Sequence, residues 1–114
     1  MKRDETVYLQ HIIDAIARIE EYLQGSNEAT FNQKHLVQDG VIRQLEIIGE
    51  AVRHLSNSLR IKYPHVPWQD IAGTRGKCIH DYFGIDLEKV WVMVQEDIPS
   101  LKIEVEKILN DLDK

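Results

Sequence analysis

Six apolar residues, Val41, Leu45, Ile48, Val52, Leu55 and Leu59, follow one another at alternating steps of four and three along a single stretch of this chain. An α-helix puts such positions on one side, because about 3.6 residues complete each turn. The same spacing recurs in Leu9, Ile12, Ile13, Ile16, Ile19 and Leu23, so the chain carries at least two helices, each with one wet and one buried face. The polar run Gly25–Thr30 stops the first of them. The second is expected to start near Asn32, a good N-cap, and to run to about Lys62. At that length it would span roughly 45 Å, more than a small core needs, which leaves part of it for a partner helix. Gly40 and Gly49 inside it cost helix propensity, and Gly49 is read as a point of close helix approach.

Pro64 and Pro67 break the pattern, and Pro67 suits the first turn of a short helix carrying Trp68 and Ile71. A helix over about 77–82 is expected to end at Gly84. Asp86 then caps a helix with Leu87, Val90, Trp91 and Val94 inward. The run Asp97-Ile98-Pro99 starts or kinks a last helix using Leu101, Val105, Ile108 and Leu112. No strand signal, repeat or low-complexity tract interrupts this series. The expectation is an all-α, single-domain bundle of four to five helices over residues 1–114.

Composition matters mainly through charge and cysteine. The net charge of −5 argues against a protein that coats nucleic acid nonspecifically. Between Ala51 and His80, however, Arg53, Arg60, Lys62, Arg75 and Lys77 face the single acid Asp70. That is a local excess of four positive charges, and His54, His65 and His80 lie in the same stretch. A charge cluster of this kind is usually a solvated face; the sharper reading is one phosphate-binding surface on an acidic body. Cys78 is the one cysteine, so no intramolecular disulfide can form, and no paired cysteines or HExxH spacing suggest a metal. No apolar run approaches the roughly 20 residues needed to span a bilayer. The opening MKRDETVYLQHIIDAI lacks the apolar core of an export signal, so a cytoplasmic location without membrane contact is expected.

The basic stretch ends in Arg75-Gly-Lys-Cys-Ile-His80-Asp81-Tyr82. Arginine keeps its charge, and histidine can trade a proton near neutral pH. Together they are a minimal kit for cleaving a phosphodiester without a metal. On a continuous helix Arg75 and His80 would point about 140° apart. To share one phosphate they need either a backbone bent at Gly73 and Gly76 or two copies of the motif meeting across a twofold axis. Taken alone, R-x4-H is a common pattern, and an arginine and a histidine near a helix end more often cap carbonyls.

Wider context gives the motif more weight. Arg43-Gln-Leu-Glu-Ile-Ile-Gly-Glu-Ala-Val52, then Pro67-Trp68, Ile71-Ala-Gly73, the motif through Asp86, Val90-Trp91 and Ile98-Pro99 occur in an order that resembles the HEPN family. Within it, the chain resembles the HepT-like toxins paired with minimal nucleotidyltransferase (MNT) antitoxins, from about Val7 to Leu112. The resemblance implies a HEPN-like symmetric homodimer, with a higher oligomer open in the complex, acting as a metal-independent endoribonuclease toxin on RNA. No cofactor is implied. It places the catalytic pair on Arg75 and His80, and it makes Tyr82 the acceptor of AMP added by the cognate nucleotidyltransferase. Lys77 and Arg53 are the candidate RNA contacts. One departure is Gly76, where the family commonly has a polar residue after the arginine. Gly76 and the overall acidity favour an alternative, a non-catalytic helical subunit that dimerises and regulates or recruits a nucleotidyltransferase.

Overall fold

The computed structural model describes residues 5–73, 79–80 and 84–113, and for residues 79–80 and 84–85 the backbone alone. The fold is all-α. Helix α1 (Glu5–Leu23) packs along α3 (His35–Arg53) and also meets a helical run that fills 87–112. That run comprises α6 (Leu87–Val92), a π-helical turn (Met93–Asp97) and α7 (Ile98–Leu112). Three short helices, α2 (Glu28–Phe31), α4 (Asn57–Lys62) and α5 (Trp68–Ala72), close the bundle.

The spaced apolar residues form the core as expected. Leu9, Ile12, Ile16 and Ile19 of α1 meet Val41, Leu45, Ile48 and Val52 of α3, with Val90, Val94, Leu101, Val105 and Ile108 completing the interior. Burying each such side chain stabilises the fold by roughly 1.5–3 kcal/mol. Leu112, expected inside, stays 42% exposed at the end of the last helix.

The long second helix is not continuous. Asn32 is the C-cap of α2 rather than the N-cap of α3, and α3 itself ends at Arg53. The cause is the Ser56-Asn57-Ser58 stretch. Ser56 has an extended backbone, and its hydroxyl accepts a hydrogen bond from Leu59 N at 3.1 Å, which starts α4 afresh. Glu5 locks the break by accepting from Ser56 N at 2.6 Å and from its hydroxyl at 2.9 Å. Leu55 and Leu59 remain buried because α4 continues over the same core. With the rod broken, its surplus length for a partner helix disappears.

Gly49 marks close approach, as its position suggested. A Cβ there would lie 3.3 Å from the carbonyl oxygens of both Ile71 and Ala72, so α5 rests directly on α3. Asp86 caps α6 by accepting from Lys89 N at 3.1 Å. Pro99 sits in the first turn of α7 and lacks an N–H for the preceding turn, which accounts for the π-helical widening just before it.

The expected helix over 77–82 is corrected where residues are described. Ile79–His80 (β1) pairs antiparallel with Gly84–Ile85 (β2), in register Ile79↔Ile85 and His80↔Gly84. The outer pair of this register, Ile79 and Ile85, is β-branched on both sides, which suits extended backbone better than helix.

The link between α4 and α5 is lashed to α7 at two points. Tyr63 donates its hydroxyl to Asp111 at 2.9 Å, and His65 Nε2 bonds the Glu104 carboxylate, which also faces Lys107 at 3.6 Å. The bond to His65 holds the Glu104 carboxyl below its ordinary value of 4.5. A depressed carboxyl pKa adds stability above the unfolded value, and that stability drains as pH falls through the lower folded value. Thermal melts should therefore show Glu104→Gln less stable than wild type near pH 6, with the difference shrinking as pH falls below the ordinary carboxyl value. A difference that persists unchanged at the acid end would show that the carboxylate charge is not what matters.

Candidate functional site

The segment carrying the candidate catalytic residues is anchored on both sides. Upstream, Ala72 and Gly73 end α5, and Arg53 Nη2 donates to Ala72 O at 2.7 Å while Nη1 reaches Glu50 Oε2 at 3.0 Å. A cation on the carbonyl end of a helix is favourable, and this one fixes where the chain leaves α5. Downstream, the β1–β2 ladder ties the backbone of His80 to Gly84, two residues before the Asp86 cap. The first anchor rests on α3, and the second leads into α6 through Asp86.

The site residues themselves are only partly described. Arg75, Lys77 and Tyr82 lie outside the described residues, and for His80 the backbone alone is given. His80 is in extended backbone, so the 140° helical separation from Arg75 does not apply. Of the candidate contacts, Arg53 is about half-exposed at the rim of α3, with its guanidinium engaged by Ala72 and Glu50.

Among the described cations of the basic stretch, Arg53, Arg60 and Lys62, two are engaged by backbone carbonyls. Arg60 donates through Nη2 to Val52 O at 2.6 Å, capping the end of α3, and Lys62 Nζ lies 5.9 Å from the Tyr63 ring centroid. Two of the described cations thus hold helix ends.

An open groove of ≈ 530 Å³ runs between α1 and α3 and reaches Ala72. Tyr8, His11, Arg43, Glu46, Arg53 and His54 are among its walls. The Tyr8 and His54 rings stack at 4.9 Å with 12° between planes, and His11 meets Tyr8 edge-on at 6.1 Å. Sequence reasoning missed Tyr8 and His11. Their one-turn spacing on α1 was a weak signal, and the pairing with His54 exists only once α1 lies on α3.

No group of three or more His, Cys, Asp or Glu side chains capable of holding a metal occurs among the described residues. No helix among them is long and apolar enough to cross a membrane.

An all-helical bundle that presents an R-x4-H segment between two anchored ends defines a class, and sequence comparison places the chain within it. A family model described as ribonuclease HepT-like matches residues 12–108, and the chain belongs to that family. A Methanocaldococcus jannaschii protein named "Gamma-glutamylcyclotransferase and putative RNase" is 46% identical over 114 residues, covering 100% of this chain and 51% of the relative. The chain thus spans about half the length of that relative. A Thermococcus cleftensis protein named "Probable ribonuclease HepT" is 44% identical over 108 residues, 95% of this chain and 98% of the relative. A second M. jannaschii protein, named "Putative RNase", is 41% identical over 105 residues, 92% of this chain and 96% of the relative. No solved structure matches the chain. The resemblance read from the motifs is borne out, and with it the ribonuclease class.

Proposed function

We propose that this chain is a metal-independent endoribonuclease in which Arg75 and His80 act on RNA. The observation that carries the reading is an R-x4-H segment in a chain matched over 12–108 by a ribonuclease family. The RNA 2′-OH attacks the adjacent phosphorus and the P–O5′ bond breaks, leaving a 2′,3′-cyclic phosphate and a 5′-OH. His80 moves the proton as general base or acid. Arg75 meets the charge growing on the phosphoryl oxygens, with two parallel donors available to it. A symmetric homodimer would bring two such sets together, so that one imidazole takes a proton while the other gives one. Lys77 is the candidate for positive charge beside the scissile phosphate, whereas Arg53, the other candidate contact, is held by Glu50 and the Ala72 carbonyl.

The test is incubation with RNA and with DNA of the same sequence while divalent metals are chelated. Wild type is expected to cut RNA and leave DNA intact, because DNA lacks the attacking hydroxyl. Arg75→Ala is expected to slow cleavage by about 10²–10³-fold, the usual loss for one transition-state donor. RNA left whole by wild type would return the chain to the binding-subunit alternative that Gly76 suggests.

The same reading assigns the chain a toxin role restrained by a minimal nucleotidyltransferase. The Tyr82 phenolic oxygen attacks the α-phosphorus of ATP, the phenol proton leaves, and pyrophosphate departs, so that AMP sits two residues from His80. Its negative phosphate pairs with Arg75, and its bulk occupies the space RNA needs. Mass spectrometry after incubation with the partner and ATP should show the AMP adduct on wild type and lose it in Tyr82→Phe. An adduct that survives in Tyr82→Phe moves the acceptor elsewhere.

A further inference from the structure

We propose that the groove between α1 and α3 holds one unpaired base of single-stranded RNA, stacked against the Tyr8–His54 pair. The inference rests on the ribonuclease reading and adds to it a substrate feature: the RNA must offer an unstacked base close to the cut. Three observations carry it.

The first is the ring pair. Tyr8 and His54 stack at 4.9 Å and 12°, and the His54 side chain is 41% exposed at the point where α3 stops. The core beneath is almost wholly apolar, whereas this stack lies along a solvent-open groove whose His11, Arg43 and Arg53 are exposed. A flat aromatic base extends such a column on its accessible side, and every base offers a π face for it.

The second is orientation. Glu50 faces His54 Nε2 at 3.4 Å and Arg53 Nη1 at 3.0 Å, so one carboxylate sets the direction of both an imidazole and a guanidinium. Arg53 joins this cluster to Ala72 O at 2.7 Å, and Ala72 lines the groove. From Ala72 the chain runs through Gly73 into the segment that carries Arg75, so the groove ends where that segment begins in sequence.

The third is charge. Arg43 and Arg53 are balanced in the groove by Glu46 and Glu50. A row of phosphates gains little from a neutral groove, while an uncharged base gains from stacking and from polar edges. Bases in a duplex are already stacked and paired, so the groove discriminates in favour of single strands.

Binding is measured by fluorescence anisotropy with a labelled single-stranded RNA of mixed sequence and with its duplex, all in a His80→Ala background so that cleavage does not enter. His54→Ala and Tyr8→Leu are each expected to weaken single-strand binding about tenfold, the effect of one base–aromatic stack, and to leave duplex binding unchanged. His54→Phe, which keeps a ring but not the imidazole, is expected to restore most of the affinity. Unchanged single-strand affinity in both variants overturns the proposal. So does light scattering that shows either variant splitting a dimer, since the groove then belongs to a second copy of this chain. Failure of the ribonuclease reading is separately visible. A wild type that cuts no RNA, yet loses binding in His54→Ala and regains it in His54→Phe, keeps the base site and removes only the chemistry.

Discussion

Replacing His80 by alanine is expected to lower the rate of RNA cleavage by about 10²–10⁴-fold, the range that a positioned general acid or base contributes. The backbone at this position should tolerate the change, because the β1–β2 ladder is built from main-chain pairing of His80 with Gly84. Circular dichroism and the melting profile should therefore match wild type, so that the loss reads as chemistry. Rates are measured on labelled RNA with metal chelated, beside Arg75→Ala. If the two residues serve one transition state, the double variant should be little slower than the worse single one, because groups that act as a unit are strongly non-additive. Equal cleavage by wild type and His80→Ala would remove His80 from the mechanism.

How far the site could be read in advance follows from what kind of feature each part is. Arg75, His80 and Tyr82 sit within eight consecutive residues, and a local motif survives in sequence. The anchors around it are of two kinds. The Asp86 cap is local, three residues from the amide it accepts, and was legible. The Arg53–Ala72 bond spans nineteen residues, and Tyr8–His54 joins two helices. Neither follows from spacing, because each needs the crossing geometry of packed elements. Charge was misleading for the same reason. Arg60 looked like part of a basic face, but it folds back on Val52 O.

The fold was legible wherever a period could repeat. Helices α1, α3 and α7 each give several turns of apolar spacing, and their inward residues were read almost without error. Breaks were harder. The apolar seam runs unbroken from Val41 to Leu59, although the backbone is interrupted, because α4 restarts in phase with the same core. The signal for the break lay in Ser56, whose hydroxyl and amide both bond the distant Glu5 carboxylate. Two-residue strands carry no period at all. Pairing between Ile79–His80 and Gly84–Ile85 was therefore invisible to pattern and was covered by the helical expectation.

Phe31→Ala is expected to be the most damaging single truncation of the core, and it falls between the expected Gly25–Thr30 turn and the helix expected from Asn32. Phe31 is fully buried and is the one buried residue of α2, which has just four residues. Its ring lies 5.4 Å from that of Trp91, so it joins the 24–34 segment to α6. Its carbonyl also accepts from the buried Gln38 Nε2 at 2.8 Å, tying the same turn to α3. Removing such a ring costs about 3–5 kcal/mol, because the cavity collapses only in part. Against a total of roughly 5–15 kcal/mol for a domain, that lowers the melting temperature by about 10–20 °C. The local caps set the comparison. Asn27 and Thr30 exchange bonds of 2.9 Å at the start of α2, and Asn27→Ala should cost only about 1 kcal/mol. Thermal melts of the two variants side by side, with tryptophan emission shifting to the red in Phe31→Ala as Trp91 meets water, separate the anchor from the cap. Equal losses in the two would mean that α2 is held by its own turn and not by the core.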